Sequence, residues 1–340
     1  MGAVASGVRI TWTQIPTHVR AGIEAIIGGG AVVTAVSQSG GFSPGTADRV
    51  VTADGHRAFV KAVSTIHNDQ TPSMHRAEAY VVGRLPSNSY VPVLLGAYDD
   101  GAWVALVFED VVGHTPAVPW NAAELEAAMT ALQQMAEAFT PSPVPDLPSV
   151  TSSYAAAFGG WERIRTNPPA DLDPWVRSRL DGLCRLADHG LACLAGGSLL
   201  HTDIRADNLL IRTDGTVAVV DWPWACNGAA WFDQLLLCVN VDLYGGHDPE
   251  KLTVHYLEPS TATTSLPRLW VFVVTSPTLP GSRLTKAFPP YEPSNERRPN
   301  RHLAGSADAT QHEPSQVVQN PSHRIVGESG IGPLRTSWSP

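Results

Sequence analysis

Leu199 to Trp224 reads LLHTDIRADNLLIRTDGTVAVVDWPW, with polar anchors at fixed offsets: His201 and Asp203, then Asn208, then Asp221. Two apolar runs, NLLI and TVAVV, lie between Asn208 and Asp221, separated by Thr213, Asp214 and Gly215. A D-G turn between such runs, the second rich in β-branched residues, predicts a β-hairpin. Closing the hairpin makes neighbours of Asn208 at its start and Asp221 at its end, with Asp203 on the loop leading in. Two carboxylates and an amide then converge. Hard oxygen donors of this kind suit Mg²⁺, which is held by one or two carboxylates while substrate phosphates complete its shell.

The spacing H-x-D-x-x-x-x-N, followed by Asp after a hairpin, is that of a kinase catalytic loop and its metal-binding aspartate. His, Asp and Asn at these offsets match by chance in on the order of one window in tens of thousands. At these residues the chain resembles the aminoglycoside phosphotransferase family of small-molecule kinases. D-W after the hairpin (Asp221, Trp222) is similar to that family and differs from the D-F-G of eukaryotic protein kinases. HTDIRADN together with VVDWPWACNGAAWFD resembles a bacterial branch whose substrates are unassigned.

The resemblance implies an α+β, bilobal, protein-kinase-like fold: a small N-lobe of antiparallel sheet plus helix, and a larger, mostly helical C-lobe carrying the catalytic hairpin. It implies Asp203 as the base receiving the acceptor hydroxyl proton, Asn208 and Asp221 as Mg²⁺ ligands, His201 as a brace of the loop, and Arg205 as a contact to the transferring phosphate. ATP and Mg²⁺ are the implied cofactors, and a small-molecule hydroxyl the implied acceptor.

Upstream, Val8–Trp12 reads as a short β-like segment and Pro16–Ile27 as a helix ended by Gly28, Gly29 and Gly30. Ala31–Gln38 and Ala47–Thr52 read as strands around the glycine-rich turn SGGFSPG. A strand–turn–strand unit can lay backbone N–H groups over phosphates, with Gly40 and Gly41 as candidate contacts. The turn is not G-x-G-x-x-G, and from these residues alone a plain hairpin loop is the favoured reading.

The next strand, Arg57–Val63, carries Lys61, the only lysine before position 251. One reading is an exposed lysine on an edge strand. In the other it grips the α- and β-phosphates and pairs with Glu78 in the helical segment MHRAEAYVVGRL, where the family's partner glutamate belongs. A buried lysine requires such a partner. Tyr90–Tyr98 and Trp103–Phe108 read as strands around Asp99-Asp100-Gly101. The second runs into Glu109, Asp110, Val111, Val112 and Gly113, which resembles the hinge whose backbone binds adenine, with Glu109 and Val111 as the candidate contacts.

Asn121 with Glu124 reads as a capping box opening a helix whose Leu125, Met129, Leu132, Met135 and Phe139 form a core stripe. TPSPVPDLPS reads as a linker. Asp173 and Pro174 start a second helix, continuing through Trp175, Leu180, Leu183, Leu186 and Ala187. Asp233 stands early in an apolar helix, where it reads either as a helix-terminal carboxylate or, by resemblance, as a holder of the catalytic loop.

The lobes are therefore expected at 1–108 and 116–257, with a hinge at 109–115. From about Glu258 the chain changes character. Twelve of its 28 prolines fall in 258–340, and the net charge there is +2 (eight Lys/Arg, six Asp/Glu), against −11 before it. Two readings stand: a disordered proline-rich extension, or a segment translated out of frame. The corresponding alternative function is a nucleotide-binding pseudokinase, catalytically impaired by loss of the family's C-terminal helices.

No run of about eighteen apolar residues suggests a membrane span. The N-terminus lacks a charged segment followed by an apolar one, and Cys184, Cys193, Cys226 and Cys238 form no C-x-x-C pair. These features predict reduced thiols and a cytoplasmic protein. The net charge of −9 argues against nucleic acid as a partner.

Overall fold

The structure, a computed structural model, describes residues 10–38, 45–66, 70–87 and 90–257. All of them fall in one compact unit, Met1–Phe288. Gly40, Gly41 and the tail from 258 onward lie outside the described residues.

The N-terminal part begins with α1 (Thr17–Ile27), capped at its C-terminus by Gly28 at φ +73°, a left-handed conformation that glycine adopts without strain. A five-stranded antiparallel sheet follows, built from β1 (Val32–Ser37), β2 (Thr46–Thr52), β3 (Arg57–Ser64), β4 (Leu94–Asp99) and β5 (Trp103–Glu109), with α2 (Thr71–Val82) between β3 and β4. Strand order is β1-β2-β3-β5-β4. Lys61 therefore sits on the central strand, and the edge-strand reading is excluded. Val19 and Ile23 of α1 pack with Val50, Val60, Ala62, Ala105 and Val107 of the sheet into one small core.

Of the segment expected as a strand at Val8–Trp12, Val8 and Arg9 lie outside the described residues, and the rest leads into a 3-10 turn, Trp12–Gln14. The Gln14 side-chain oxygen accepts the Thr11 N–H at 2.8 Å, closing a local cap in place of a strand ladder. The strand expected from Tyr90 begins only at Leu94, and the Tyr90 carbonyl instead accepts the Val219 N–H at 2.7 Å.

Beyond the two-residue β6 (Gly113–His114), the larger part contains α3 (Ala122–Ala138), α4 (Val150–Phe158), α5 (Gly160–Thr166), α6 (Pro174–Arg177) and α7 (Leu180–Cys193). There follow β7 (Ser198–Leu200), β8 (Leu209–Arg212), β9 (Val217–Val219), β10 (Cys226–Gly228), α8 (Phe232–Tyr244) and α9 (Pro249–Leu257). Leu125, Met129, Leu132, Met135 and Phe139 are buried as the stripe predicts, against Trp161, Trp222, Phe232 and Leu235.

Asn121 caps α3 by accepting the Glu124 N–H at 2.9 Å. The capping box does not close, because the Glu124 carboxylate is taken by the Ala117 N–H (2.7 Å) and His114 Nε2 (2.9 Å). The helix expected from Asp173 through Ala187 is broken in two at Arg179, where φ is −122° and α7 starts afresh. The Arg179 guanidinium lies 4.7 Å from the Trp175 ring centroid, a contact across the break that apolar periodicity does not register. Among the described residues no helix is long and apolar enough to cross a membrane, and all four cysteines are free thiols.

Candidate active site

The predicted hairpin is present: β8 and β9 pair antiparallel with Leu209 opposite Val219 and Ile211 opposite Val217. The Val220 N–H donates to the Asn208 carbonyl at 2.9 Å, which fixes the two ends of the hairpin beside each other. Asn208 is buried and its amide nitrogen donates to Asp203 twice, to the carbonyl at 2.8 Å and to Oδ2 at 3.0 Å. With both amide hydrogens committed, the Asn208 side-chain oxygen is the atom left for a cation. Asp221 Oδ1 accepts from Lys61 Nζ at 2.8 Å, and the same ammonium donates to Glu78 at 2.8 and 2.9 Å. The Trp222 N–H also reaches Glu78, at 3.4 Å.

Lys61 is thus held between a carboxylate of α2 and one from the hairpin. Burial works against its ammonium, but Asp221 and Glu78 outweigh that and hold its pKa above the ordinary lysine value. Asp221 shows the converse: burial raises its carboxyl, and the adjoining Lys61 charge overrides this and holds it below the ordinary value. Both groups are ionised at neutral pH.

The loop before the hairpin is held from several sides. Asp233, the second residue of α8, is buried and accepts the His201 N–H at 2.7 Å and the Thr202 N–H at 2.9 Å. Of the two readings of Asp233, the geometry is that of a loop holder. Thr202 has φ +65° and Asp221 φ +73°, left-handed conformations that cost a non-glycine residue on the order of 1 kcal/mol or more. Thr202 is kept there by its hydroxyl donating to the Trp224 carbonyl (2.7 Å) and by the Tyr154 hydroxyl donating to its own carbonyl (2.9 Å).

His201 is fully buried, 4.8 Å from Trp222 ring to ring. Its Nδ1 accepts the Asp203 N–H at 3.2 Å, so the proton belongs on Nε2, which donates to the Val220 carbonyl at 3.0 Å. Burial pushes its pKa down to about 4, so this ring is a neutral brace between loop and hairpin.

Asp203 is half-buried. Burial pushes its carboxyl up to about 6, against the Arg205 charge and the Asn208 hydrogen bond. The Arg205 guanidinium grips Asp207 with Nε and Nη2, both at 3.0 Å, and points Nη1 at Asp203 Oδ1, 3.6 Å away. Reading the sequence missed Asp207 and Tyr154. Asp207 was visible two residues after Arg205, whereas nothing in the sequence near Tyr154 points to Thr202.

The proposed hinge follows β5 directly. The Glu109 N–H donates to the Val93 carbonyl at 2.9 Å, and its side chain pairs with Arg212 at 3.2 Å. The Val111 carbonyl accepts from Arg49 Nη2 at 3.2 Å. The geometry thus brings together His201, Asp203, Arg205, Asn208 and Asp221, and joins Lys61 and Glu78 to them through Asp221. Glu109 and Val111 are not tied to that cluster by a contact of their own.

An antiparallel sheet with a lysine–glutamate pair, joined to a mostly helical part by an H-x-D-x-x-x-x-N loop and an aspartate-ended hairpin, defines a protein-kinase-like protein. The chain belongs to the phosphotransferase enzyme family, whose family model matches residues 39–258, 220 of its 340 residues. That match ends where the composition changes.

Among solved structures, the chain is similar to a thermostable mutant of aminoglycoside phosphotransferase APH(4)-Ia in ternary complex with AMP-PNP and hygromycin B. The TM-score is 0.52 at 16% identity, over 76% of this chain and 88% of that one. Choline kinase LicA from Streptococcus pneumoniae gives a TM-score of 0.48 at 13% identity, over 77% and 87%. An aminoglycoside phosphotransferase from Alicyclobacillus acidocaldarius gives 0.45 at 16%, over 72% and 79%. A search of curated proteins finds no significant match to this sequence.

Proposed function

We propose that this chain transfers the γ-phosphate of ATP, with Mg²⁺, to a hydroxyl group of a small molecule. The observation that carries the reading is the convergence of Asp203 with Asn208, and of Asp221 with Lys61 and Glu78. A candidate base on the loop leading into the hairpin, and a candidate phosphate-handling lysine on β3, are thereby tied to the two ends of one hairpin.

The donor set fits a magnesium ion. Asn208 keeps a side-chain oxygen uncommitted while its amide is engaged, and Asp221 is ionised and a third exposed, at 35% of its side chain. These two residues would hold the metal, which when bound offsets negative charge on the phosphates and aligns them. Lys61, positioned by Glu78, supplies a fixed positive charge to the nucleotide's phosphates. Asp203 receives the acceptor's hydroxyl hydrogen bond and takes its proton as the phosphoryl group transfers. The Arg205 charge, held by Asp207, lies 3.6 Å from Asp203 Oδ1, within reach of a phosphate transferring beside the base. His201 and Asp233 hold the loop so that Asp203 keeps its distance from the hairpin. The lobes are assigned to 1–108 and 116–257, joined by a hinge at 109–115. That APH(4)-Ia, of the same fold, was solved with AMP-PNP or ADP and hygromycin B supports the choice of nucleotide and of a small acceptor.

The test is a screen of hydroxyl-bearing small molecules for acceptor-dependent ADP release, with Asp203→Asn as the control. Transfer in the wild type, lost in the variant while ATP binding persists, is the expected result. Equal turnover in the two proteins would overturn the assignment.

A further inference from the structure

A second ionic cluster lies along the same sheet, toward the hinge from Lys61. In β2 the residues alternate, with Thr46, Asp48, Val50 and Thr52 buried and the positions between them half-buried. Ala47 is opposite Lys61 and Arg49 is opposite Phe59 in the β2–β3 ladder. Cross-strand partners share a face, so Arg49 stands on the Lys61 face, one side-chain row along. Its Nε donates to Asp110 Oδ1 at 2.6 Å and its Nη2 to the Val111 carbonyl at 3.2 Å. Arg57 takes the other Asp110 oxygen with Nε and Nη2, at 2.9 and 2.6 Å.

The Asp110 side chain is only 3% exposed, whereas that of Arg49 is 28% exposed. A buried carboxylate is stable only when its oxygens are filled, and here two guanidiniums fill them. Arg49 therefore spans from the sheet to the chain segment after β5, tying the Val111 peptide to β2. Along β3 the sheet runs from Lys61 to Ala58, which pairs with Glu109, so on the phosphotransferase reading a nucleotide with its phosphates at Lys61 would carry its base and ribose toward residues 109–111.

We propose that Arg49 is a binding determinant for the nucleoside end of the nucleotide, with Asp110 as its positioning residue. This rests on the phosphotransferase reading above. Arg49 presents a flat guanidinium already held in place, and it fixes the peptide beside which the base lies. Lysine has neither the plane nor the fork needed to hold Asp110 and Val111 together.

The test is calorimetric titration of the full chain with ADP and with inorganic tripolyphosphate, each with Mg²⁺. Arg49→Met and Asp110→Asn are expected to weaken ADP at least tenfold while leaving tripolyphosphate within twofold of wild type. Arg49→Lys does not restore ADP binding. Arg57→Gln, whose arginine touches Asp110 and not Val111, stays within threefold for both ligands.

Unchanged ADP affinity in Arg49→Met would overturn the proposal, as would equal loss of the two ligands or a loss in Arg57→Gln matching that in Arg49→Met. Those results would leave the cluster a purely structural one. A wild-type chain that binds neither ADP nor tripolyphosphate would instead overturn the phosphotransferase reading itself, before any variant is made.

Discussion

Replacing Asp233 with alanine separates a loop holder from a residue that merely opens a helix. The carboxylate accepts two buried N–H groups, of His201 and Thr202, at 2.7 and 2.9 Å. Leaving both donors unpaired costs about 1–3 kcal/mol each, so about 2–6 kcal/mol together. The carboxylate is itself costly to bury, which pushes its pKa up to about 6 from 3.8 in spite of the two amide donors. At about 1.4 kcal/mol per pH unit, removing it at neutral pH returns roughly 3 kcal/mol.

The two contributions largely offset each other. The net effect runs from a gain of about 1 to a loss of about 3 kcal/mol, which moves the melting temperature by no more than several degrees in a domain of this size. Turnover responds more strongly. With the loop free, Asp203 moves relative to Asn208 and Asp221, and a shift of about 1 Å at a reacting group costs on the order of a hundredfold. The assay pairs a thermal melt with acceptor-dependent ADP release in Asp233→Ala. The expected result is turnover down about a hundredfold in a chain that still melts cooperatively. Turnover within threefold of wild type, whatever the melt, would refute the idea that Asp233 sets the catalytic loop.

Three further outcomes follow from the same geometry. Asp203→Asn is expected to lower kcat about 10²–10⁴-fold, the usual contribution of a general base, with the calorimetric Kd for ATP unchanged. Because burial raises the Asp203 carboxyl to about 6, it is protonated below that pH, and the proposed base role predicts that kcat/KM falls about tenfold per unit beneath it. A flat profile from pH 7 to 4.5 would remove Asp203 from the role. Gly228→Ala places a methyl carbon 2.4 Å from Val150 Cγ1 and 2.6 Å from Leu200 Cδ1 under the catalytic loop. Overpacking of this kind costs about 1–3 kcal/mol, read as a shift in the denaturation midpoint.

The hairpin and its anchors were legible because their partners are close in sequence: a D-G turn and β-branched runs force Asn208 and Asp221 together whatever lies elsewhere. The Lys61–Glu78 pair was legible only through resemblance, since no local rule joins a strand residue to one 17 positions on. The Arg49–Asp110 pair, 61 residues apart, leaves no periodic trace, because a surface-like arginine and a post-strand aspartate look alike whether paired or solvated. Helices α4 and α5 were missed for another reason. Their run VTSSYAAAFGGWERIRT offers few large apolar residues and a glycine pair between them, so burial there rests on Val150, Phe158 and Trp161 rather than on a stripe. Glu124 shows the limit of a motif: its spacing suited a capping box, and two nearby donors drew its carboxylate elsewhere.

The most direct test of the proposed metal-dependent nucleotide site is the melting temperature of the purified full chain with excess ATP, measured once with Mg²⁺ and once with EDTA. Ligand at about a hundred times its Kd adds roughly 2.7 kcal/mol to the folded state, which in a domain of this size raises the midpoint by about 5–10 °C. The account predicts that rise with Mg²⁺, its loss with EDTA, and its loss in Asp221→Asn. A cooperative melt at the same temperature in both solutions would contradict it.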